Sequence, residues 1–369
     1  MISKGAPKFM GDIDLVSEES QDLPIHAEGL PDLSEKEAAL LGPPQAGALT
    51  SVGRRLSRLA PKYAIVAVWG LLFAFYAALE PEKMLRHGTF QTIFGSQQAL
   101  VFLSMALVIT FVVGEFDLAV ASIMGLAATL VPVLVVLHGY DAVTASLIAV
   151  ACCVAAGAVN GFIVVVLGVN PIVTTLGMGT FLLGIALKLS RLTTISGLSA
   201  GFAKISLHKL WGLPVSFYYG VVIAAGLAYV MEFTPLGRHM SFVGANREVA
   251  RLAGVRVDRI RFGSYVASGL MCGIGGVILV AGLGGYDSTA SPGYLLPAFA
   301  ATFLGTAVVQ PGRFNPIGSL VGIYFLVTGI VGLQLAGFTG WIENVFYGAA
   351  LVIAVSVSTI VGRRAAAAT

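Results

Sequence analysis

The dipeptide Gly-Lys occurs nowhere in the 369 residues. The phosphate-cradling loop G-x-x-x-x-G-K-[ST] is therefore missing, and the chain is not its own P-loop ATPase. No H-E-x-x-H is present either, and the five histidines (His26, His87, His138, His208 and His239) are scattered, which excludes a zincin-type centre. Cysteine is scarce. Cys152, Cys153 and Cys272 fall in apolar stretches without partners at metal-ligand spacing, and read as small hydrophobes in helix packing. Charge is also scarce: 11% of residues are Asp, Glu, Lys or Arg, against about 25% in soluble domains. With 57% hydrophobic residues, an ordinary soluble fold is excluded. No cofactor, metal or nucleic-acid partner is expected of this chain.

The charges that exist are unevenly placed. Residues 1–60 hold nine of the 19 acidic residues, from Asp12 to Glu37, and the turn sequence LGPP at 41–44. This stretch lacks the basic start and apolar core of a signal peptide. It reads as a largely disordered cytoplasmic tail, with a short helix near 34–41. Residues 61–362 form an apolar membrane domain and 363–369 a short tail. At about 20 apolar residues per crossing, spans are predicted at 64–79, 92–113, 118–137, 142–167, 171–189, 215–231, 262–283, 295–309, 316–335 and 341–361. The expectation is an all-α polytopic membrane protein of about ten helices. The second and eighth spans are interrupted by glycine, glutamine or proline, which predicts broken or re-entrant segments.

Lysine and arginine set the orientation. Arg54, Arg55, Arg58 and Lys62 precede the first span and Arg363 and Arg364 follow the last. With ten spans these share one side with Arg313 and with the loop 232–262, which carries Arg238, Arg247, Arg251, Arg256, Arg259 and Arg261. Fewer basic residues fall opposite, so both termini and this loop are predicted to be cytoplasmic. Within the loop, residues 244–254 read as one short amphipathic helix between two glycines. Ala245, Val249, Leu252 and Ala253 make its small apolar face, with Arg247, Glu248 and Arg251 around it. Such an element between spans reads as a docking site for a soluble partner. Gly157-xxx-Gly161, Gly269-xxx-Gly273 and Gly318-xxx-Gly322 predict close helix crossings.

Candidate chemistry is sparse. Glu115 and Asp117, in GEFDLAVAS, are the ionisable residues nearest the membrane. As a pair they suit the coupling carboxylates of an ion-driven secondary transporter; alternatively Asp117 caps the helix that follows it. Asn160 and Asn170 can hydrogen-bond a polar solute or a neighbouring helix. The G-x-S-x-G at 197–201 matches a hydrolase elbow, but that motif needs a strand-to-helix turn with Asp and His partners.

Several motifs together resemble one family, the permease subunits of ribose-type ABC importers. LGRH at 236–239 followed by GANREVARLAG at 244–254 is similar to the family's LGRY-x-x-A-x-GGNE-x-AA-x-x-SG. GEFDLAVAS at 114–122 is similar to its G-I-D-L-S-V-G-S. Asn160-Gly161 and PIVTTLG at 171–177 are similar to its N-G and F-I-A-T-L-G stretches. The similarity runs over about 100–357. GTAVVQPGRF at 305–314 departs from the family's G-G-T-S-L-x-G-G-x-G, and the acidic residue usual before it is absent.

The resemblance implies a bacterial inner-membrane, multi-pass permease for a sugar or similar polar solute. ATPase subunits would hydrolyse ATP, a periplasmic binding protein would deliver the solute, and a second permease chain would complete the channel. It also implies that Gly244, Asn246, Arg247, Glu248, Ala250, Arg251, Leu252 and Gly254 form the coupling element. Phe116, Asp117, Asn160 and Asn170 are the candidate pathway residues.

Overall fold

The computed structural model describes residues 51–366, with side chains described for 65–356. Of the expected tail, residues 1–50, with the predicted helix near 34–41, lie outside the described residues. Residues 51–60 are helical and belong to α1 (Ser51–Leu79), which runs continuously into the first apolar stretch.

Helices follow the apolar runs. The predicted second span is broken at Ser96–Gln97 into α3 (His87–Gly95) and α4 (Gln98–Val112), after the single turn α2 (Pro81–Met84). α5 (Val120–Pro132) and α6 (Ala142–Gly161) each close in one π-turn, at Val133–Leu137 and Phe162–Val166. α7 (Pro171–Leu189) is uninterrupted. The connection to α9 (Val215–Phe233) is more than a loop: it holds β1 (Ile195–Ser196), α8 (Ala200–Leu207) and the hairpin β2 (Lys209–Leu210) and β3 (Leu213–Pro214). Then come α10 (Pro235–Ala245), α11 (Arg247–Leu252) and α12 (Val257–Leu283). β4 (Gly285–Tyr286) pairs antiparallel with β1, Ile195 opposite Tyr286. The predicted eighth span is half-length: a 3-10 segment (Ser288–Tyr294) leads into the eleven-residue α13 (Leu295–Gly305). α14 (Pro316–Leu335) and α15 (Trp341–Ala366) complete the described residues.

Among the described residues seven helical stretches are long and apolar enough to cross a bilayer, and Ile65–Leu79 and Trp341–Ser356 are shorter apolar helices. The chain is thus a helical, multi-pass membrane protein. Its four strands of two residues each are the only departure from an all-α pattern among the described residues.

Helix starts at one end share a device. Asn170-Pro171, Thr234-Pro235 and Asn315-Pro316 place a capping side chain just before a proline that needs no N–H partner. Asn170 Oδ1 accepts from Ile172 N at 2.9 Å, Thr234 Oγ1 from Gly237 N at 3.4 Å, and Asn315 Oδ1 from Gly318 N at 2.6 Å.

The three glycine pairs resolve into two crossings. Gly157 of α6 lies against the Tyr265 carbonyl of α12, and Gly269 of α12 lies against the Cys153 carbonyl of α6. Gly318 and Gly322 of α14 pack on the Gly305 and Ala301 carbonyls of α13. No side chain fits at any of these positions, so backbones meet directly, as packing in lipid favours. Cys153 and Cys272 are buried beside the first crossing, whereas Cys152 is exposed. α4 and α5 are central, 72% buried along their spans, whereas α9 is 17% buried and carries Val222, Tyr229 and Phe233 on an exposed apolar face. Such faces suit lipid or a neighbouring subunit.

Candidate coupling site

The site begins where α4 ends. Gly114 adopts φ +74, a conformation open to glycine, and the chain turns so that Glu115 N donates to Thr110 O. The Glu115 side chain then points into the protein, fully buried. A buried carboxylate is tolerated only with close partners, and three donors from two other elements supply them. Arg247 Nη2, at the first position of α11, lies 2.9 Å from Glu115 Oε1 and also donates to Gly114 O at 2.9 Å. Nε of Arg261, the fifth residue of α12, reaches the same Oε1 at 2.5 Å, and Tyr265 Oη donates to Oε2 at 3.1 Å.

The predicted single helix over 244–254 is in fact two pieces. Gly244 and Ala245 end α10, and Gly244 presses on the Val112 carbonyl where a Cβ would collide. Asn246 is extended, and its Oδ1 accepts from Val249 N at 3.1 Å, which starts α11 anew. Gly254, at φ +82, ends it, with Val255 N donating to Ala250 O. Val249 and Leu252, of the apolar face read for docking, lie on the outside, and Ala250 lies on the inside. Ala250 is fully buried with Ile109, Val113, Met240, Val243 and Val257 in a small core of this chain's own. Val249 and Leu252 are 48% and 88% exposed, and Glu248 and Arg251 are exposed beside them. Arg251 lies 3.4 Å from Asp258 and 4.0 Å from Glu248. Asn246, Gly244 and Gly254 thus shape the loop, Arg247 and Ala250 fasten it, and Glu248, Val249, Arg251 and Leu252 are what it presents.

Asp117 is fully buried and lies ahead of α5, though not at its cap, since the helix begins at Val120 and Ala119 is the N-cap. Its Oδ1 accepts from Ala119 N and its Oδ2 from Ser268 Oγ of α12, each at 3.0 Å. Burial pushes its carboxyl up from 3.8 to about 6, against the lowering effect of these two hydrogen bonds. A native carboxyl that holds its proton more tightly than the unfolded one stabilises the fold below about pH 4, and that contribution is lost as pH rises through about 6. Asp117→Asn should therefore gain on wild type between pH 4 and 7, by on the order of 2–3 kcal/mol. Melting temperatures of both proteins across this range test it; a constant difference would contradict it.

The other pathway candidates do not converge. Phe116 is 42% exposed, its ring 5.2 Å from that of Phe111, which also meets Phe299, Phe303 and Phe314. Asn160 is fully buried and its amide makes no hydrogen bond. Asn170 is exposed, and its Oδ1 is taken up in capping α7. Thr175, one turn into α7, accepts from Leu118 N at 3.0 Å and so ties the 113–119 turn to α7. Ser199 of the G-x-S-x-G caps α8 by accepting from Phe202 N. Among the described residues no group of three His, Cys, Asp or Glu side chains is arranged to hold a metal ion. Arg261 was read from the sequence only as one of the loop arginines, and Tyr265 was not singled out. Their spacing of one helical turn at the head of an apolar run was the available signal.

The model of the family described as branched-chain amino acid transport system / permease component matches residues 90–355. The autoinducer 2 import system permease protein LsrC of Salmonella typhi is 28% identical over 281 residues, 76% of this chain and 80% of that protein. The D-allose transport system permease protein AlsC of Escherichia coli is 25% identical over 303 residues, 82% of this chain and 93% of its own length. The ribose import permease protein RbsC of Bacillus subtilis is 30% identical over 250 residues, 67% and 77% of the two chains. No solved structure matches. A helical membrane bundle and a family match over all of its central helices lead to one conclusion: the chain belongs to this family of transport-system permease components, as a permease of the ABC importer type.

Proposed function

We propose that this chain forms the translocation pathway of an ATP-driven importer for a monosaccharide or a similar polyhydroxylated solute, in a bacterial inner membrane. The observation that carries the reading is α11: a six-residue helix at one end of the bundle, locked from beneath by Arg247 and Ala250, with Leu252 and Val249 facing outward. A helix this short is marginal unless held, and an exposed leucine beside charged residues suits the groove of a soluble ATPase. A second permease chain would complete the pathway, and a periplasmic binding protein would deliver the solute. LsrC, AlsC and RbsC are named for autoinducer 2, allose and ribose, which favours a sugar-like cargo. No covalent chemistry falls to this chain. ATP hydrolysis belongs to the separate subunits.

Ten crossings with both termini cytoplasmic suit the seven long spans, the two shorter apolar helices and the half-length α13. The loops sort accordingly: Gln310 bonds Glu232 at the arginine-rich end, and Lys83 bonds the Leu335 carbonyl at the other. The rival reading uses Glu115 and Asp117 as ion-coupling carboxylates. Glu115 is already neutralised by two guanidiniums, which leaves it no open side for a transported cation. The test is uptake of labelled ribose and allose into proteoliposomes holding the purified complex. Uptake should require ATP on the cytoplasmic face and ignore imposed proton or sodium gradients. Gradient-driven uptake without ATP would establish the secondary transporter instead.

A further inference from the structure

The network around Glu115 joins parts of the fold that have no other reason to share a charge. Glu115 sits in the 113–119 turn that leads into α5, Arg247 on α11, and Arg261 and Tyr265 on α12. The same turn is tied to α12 again through Asp117 and Ser268, and to α7 through Leu118 and Thr175. Its members are unequally shielded: side-chain exposure is 0% for Glu115, 13% for Arg261 and 39% for Arg247. Glu115, Arg261 and Tyr265 are therefore the fixed part. Arg247 is the part that can move, since water can reach its guanidinium if the contact opens.

We propose that the Arg247 bridge to Glu115 and the Gly114 carbonyl is the strut by which movement of α11 reaches the turn in front of α5, so that Arg247 is a positioning residue for the transport cycle. The proposal rests on the docking role of α11. Two donations from one nitrogen, to the Gly114 carbonyl and to the neighbouring carboxylate, fix the turn in both position and orientation. Below the strut, Ala250 and Val257 seal a small apolar core against Ile109 and Val113, so a displaced α11 moves against the end of α4 as well. Without Arg247, α11 keeps that apolar seat and its Asn246 cap, but loses its polar hold on the turn.

The experiment uses the complete complex, with exposed Cys152 replaced by serine and one reporter cysteine at a time, at Leu252 on α11 or at Phe116 in the turn. Maleimide labelling rates are compared without nucleotide and after trapping with ATP and vanadate. Both reporters should respond when Arg247 is present. In Arg247→Gln the response at position 252 should persist while that at 116 falls about 2- to 30-fold, with ATPase still bound. Arg247→Lys should restore part of it. Glu115→Gln, which leaves Arg247 in place with a neutral acceptor in front of it, should lower the 116 response by less than Arg247→Gln does. A full 116 response in Arg247→Gln would overturn the strut while leaving the docking role intact. Loss of bound ATPase in Arg247→Gln alone would assign Arg247 to the subunit interface and also overturn it. Absence of ATPase from the complex with Arg247 present would remove the docking role and the strut together.

Discussion

Gly269→Leu should leave almost no folded protein in the membrane. Gly269 packs against the Cys153 carbonyl and the Gly157 Cα of α6, so any side chain there meets backbone rather than a side chain that can turn away. Overpacking a core ordinarily costs about 1–3 kcal/mol, and more where nothing can yield. Here α6 and α12 would have to separate along the crossing that also buries Cys153 and Cys272. Gly263→Leu, on the same helix with open space around its Cα, is the control and should accumulate normally. Abundance in the membrane fraction and melting temperature in detergent are the readouts. Equal behaviour of the two variants would mean that α6 and α12 do not cross here.

Glu115→Ala should be nearly as damaging, and by electrostatics rather than volume. It removes the one anion shared by Arg247 and Arg261 and leaves the Tyr265 hydroxyl without its acceptor. Removing one partner of a buried pair costs about 3–5 kcal/mol. The loss should be local: the loop 232–262 should loosen first and become open to trypsin at Arg247, Arg251, Arg256 and Arg259, while the spans persist. Glu115→Gln retains a neutral acceptor and should fall between. Unchanged melting and an unchanged tryptic pattern in Glu115→Ala would remove the network from the account.

Much of this molecule was legible in the sequence because its helices are written in local signals. Apolar length fixed most of the spans, and the glycine and glutamines at Gly95, Gln97 and Gln98 and the proline at Pro297 marked the two irregular ones. The glycine pairs named the crossing helices, although not which pairs with which. The arginine loop announced an element with a purpose. Its orientation was another matter. Apolarity singled out Ala245, Val249, Leu252 and Ala253 as the contact face, and the family resemblance counted Ala250 in the coupling element, without saying which of them would turn inward. Arg247 and Ala250 stand three apart, on one side of α11. Once Glu115 captures Arg247, Ala250 must face this chain, and Val249 and Leu252 must face away. That rotation is set by a residue 132 positions distant, and no period in the loop itself encodes it. Asn246 did carry a local signal, a capping side chain three residues before Val249. It ends one helix and begins another where a single one was expected. Asn170 was read for its amide, while the proline after it already marked a helix start.

The central claim is that α11 presents Leu252 and its neighbours to an ATPase. Ala250→Arg is a poor test, because it would break this chain's own core. Leu252→Asp is a clean one: the side chain is 88% exposed, so the substitution disturbs nothing within the chain. The measurement is the amount of ATPase that co-purifies with the permease, wild type against Leu252→Asp, at equal membrane abundance and equal melting temperature. The predicted result is loss of the ATPase from the variant, with the permease itself unchanged. ATPase retained at the wild-type ratio in Leu252→Asp, with solute uptake intact, would contradict the docking role of this helix.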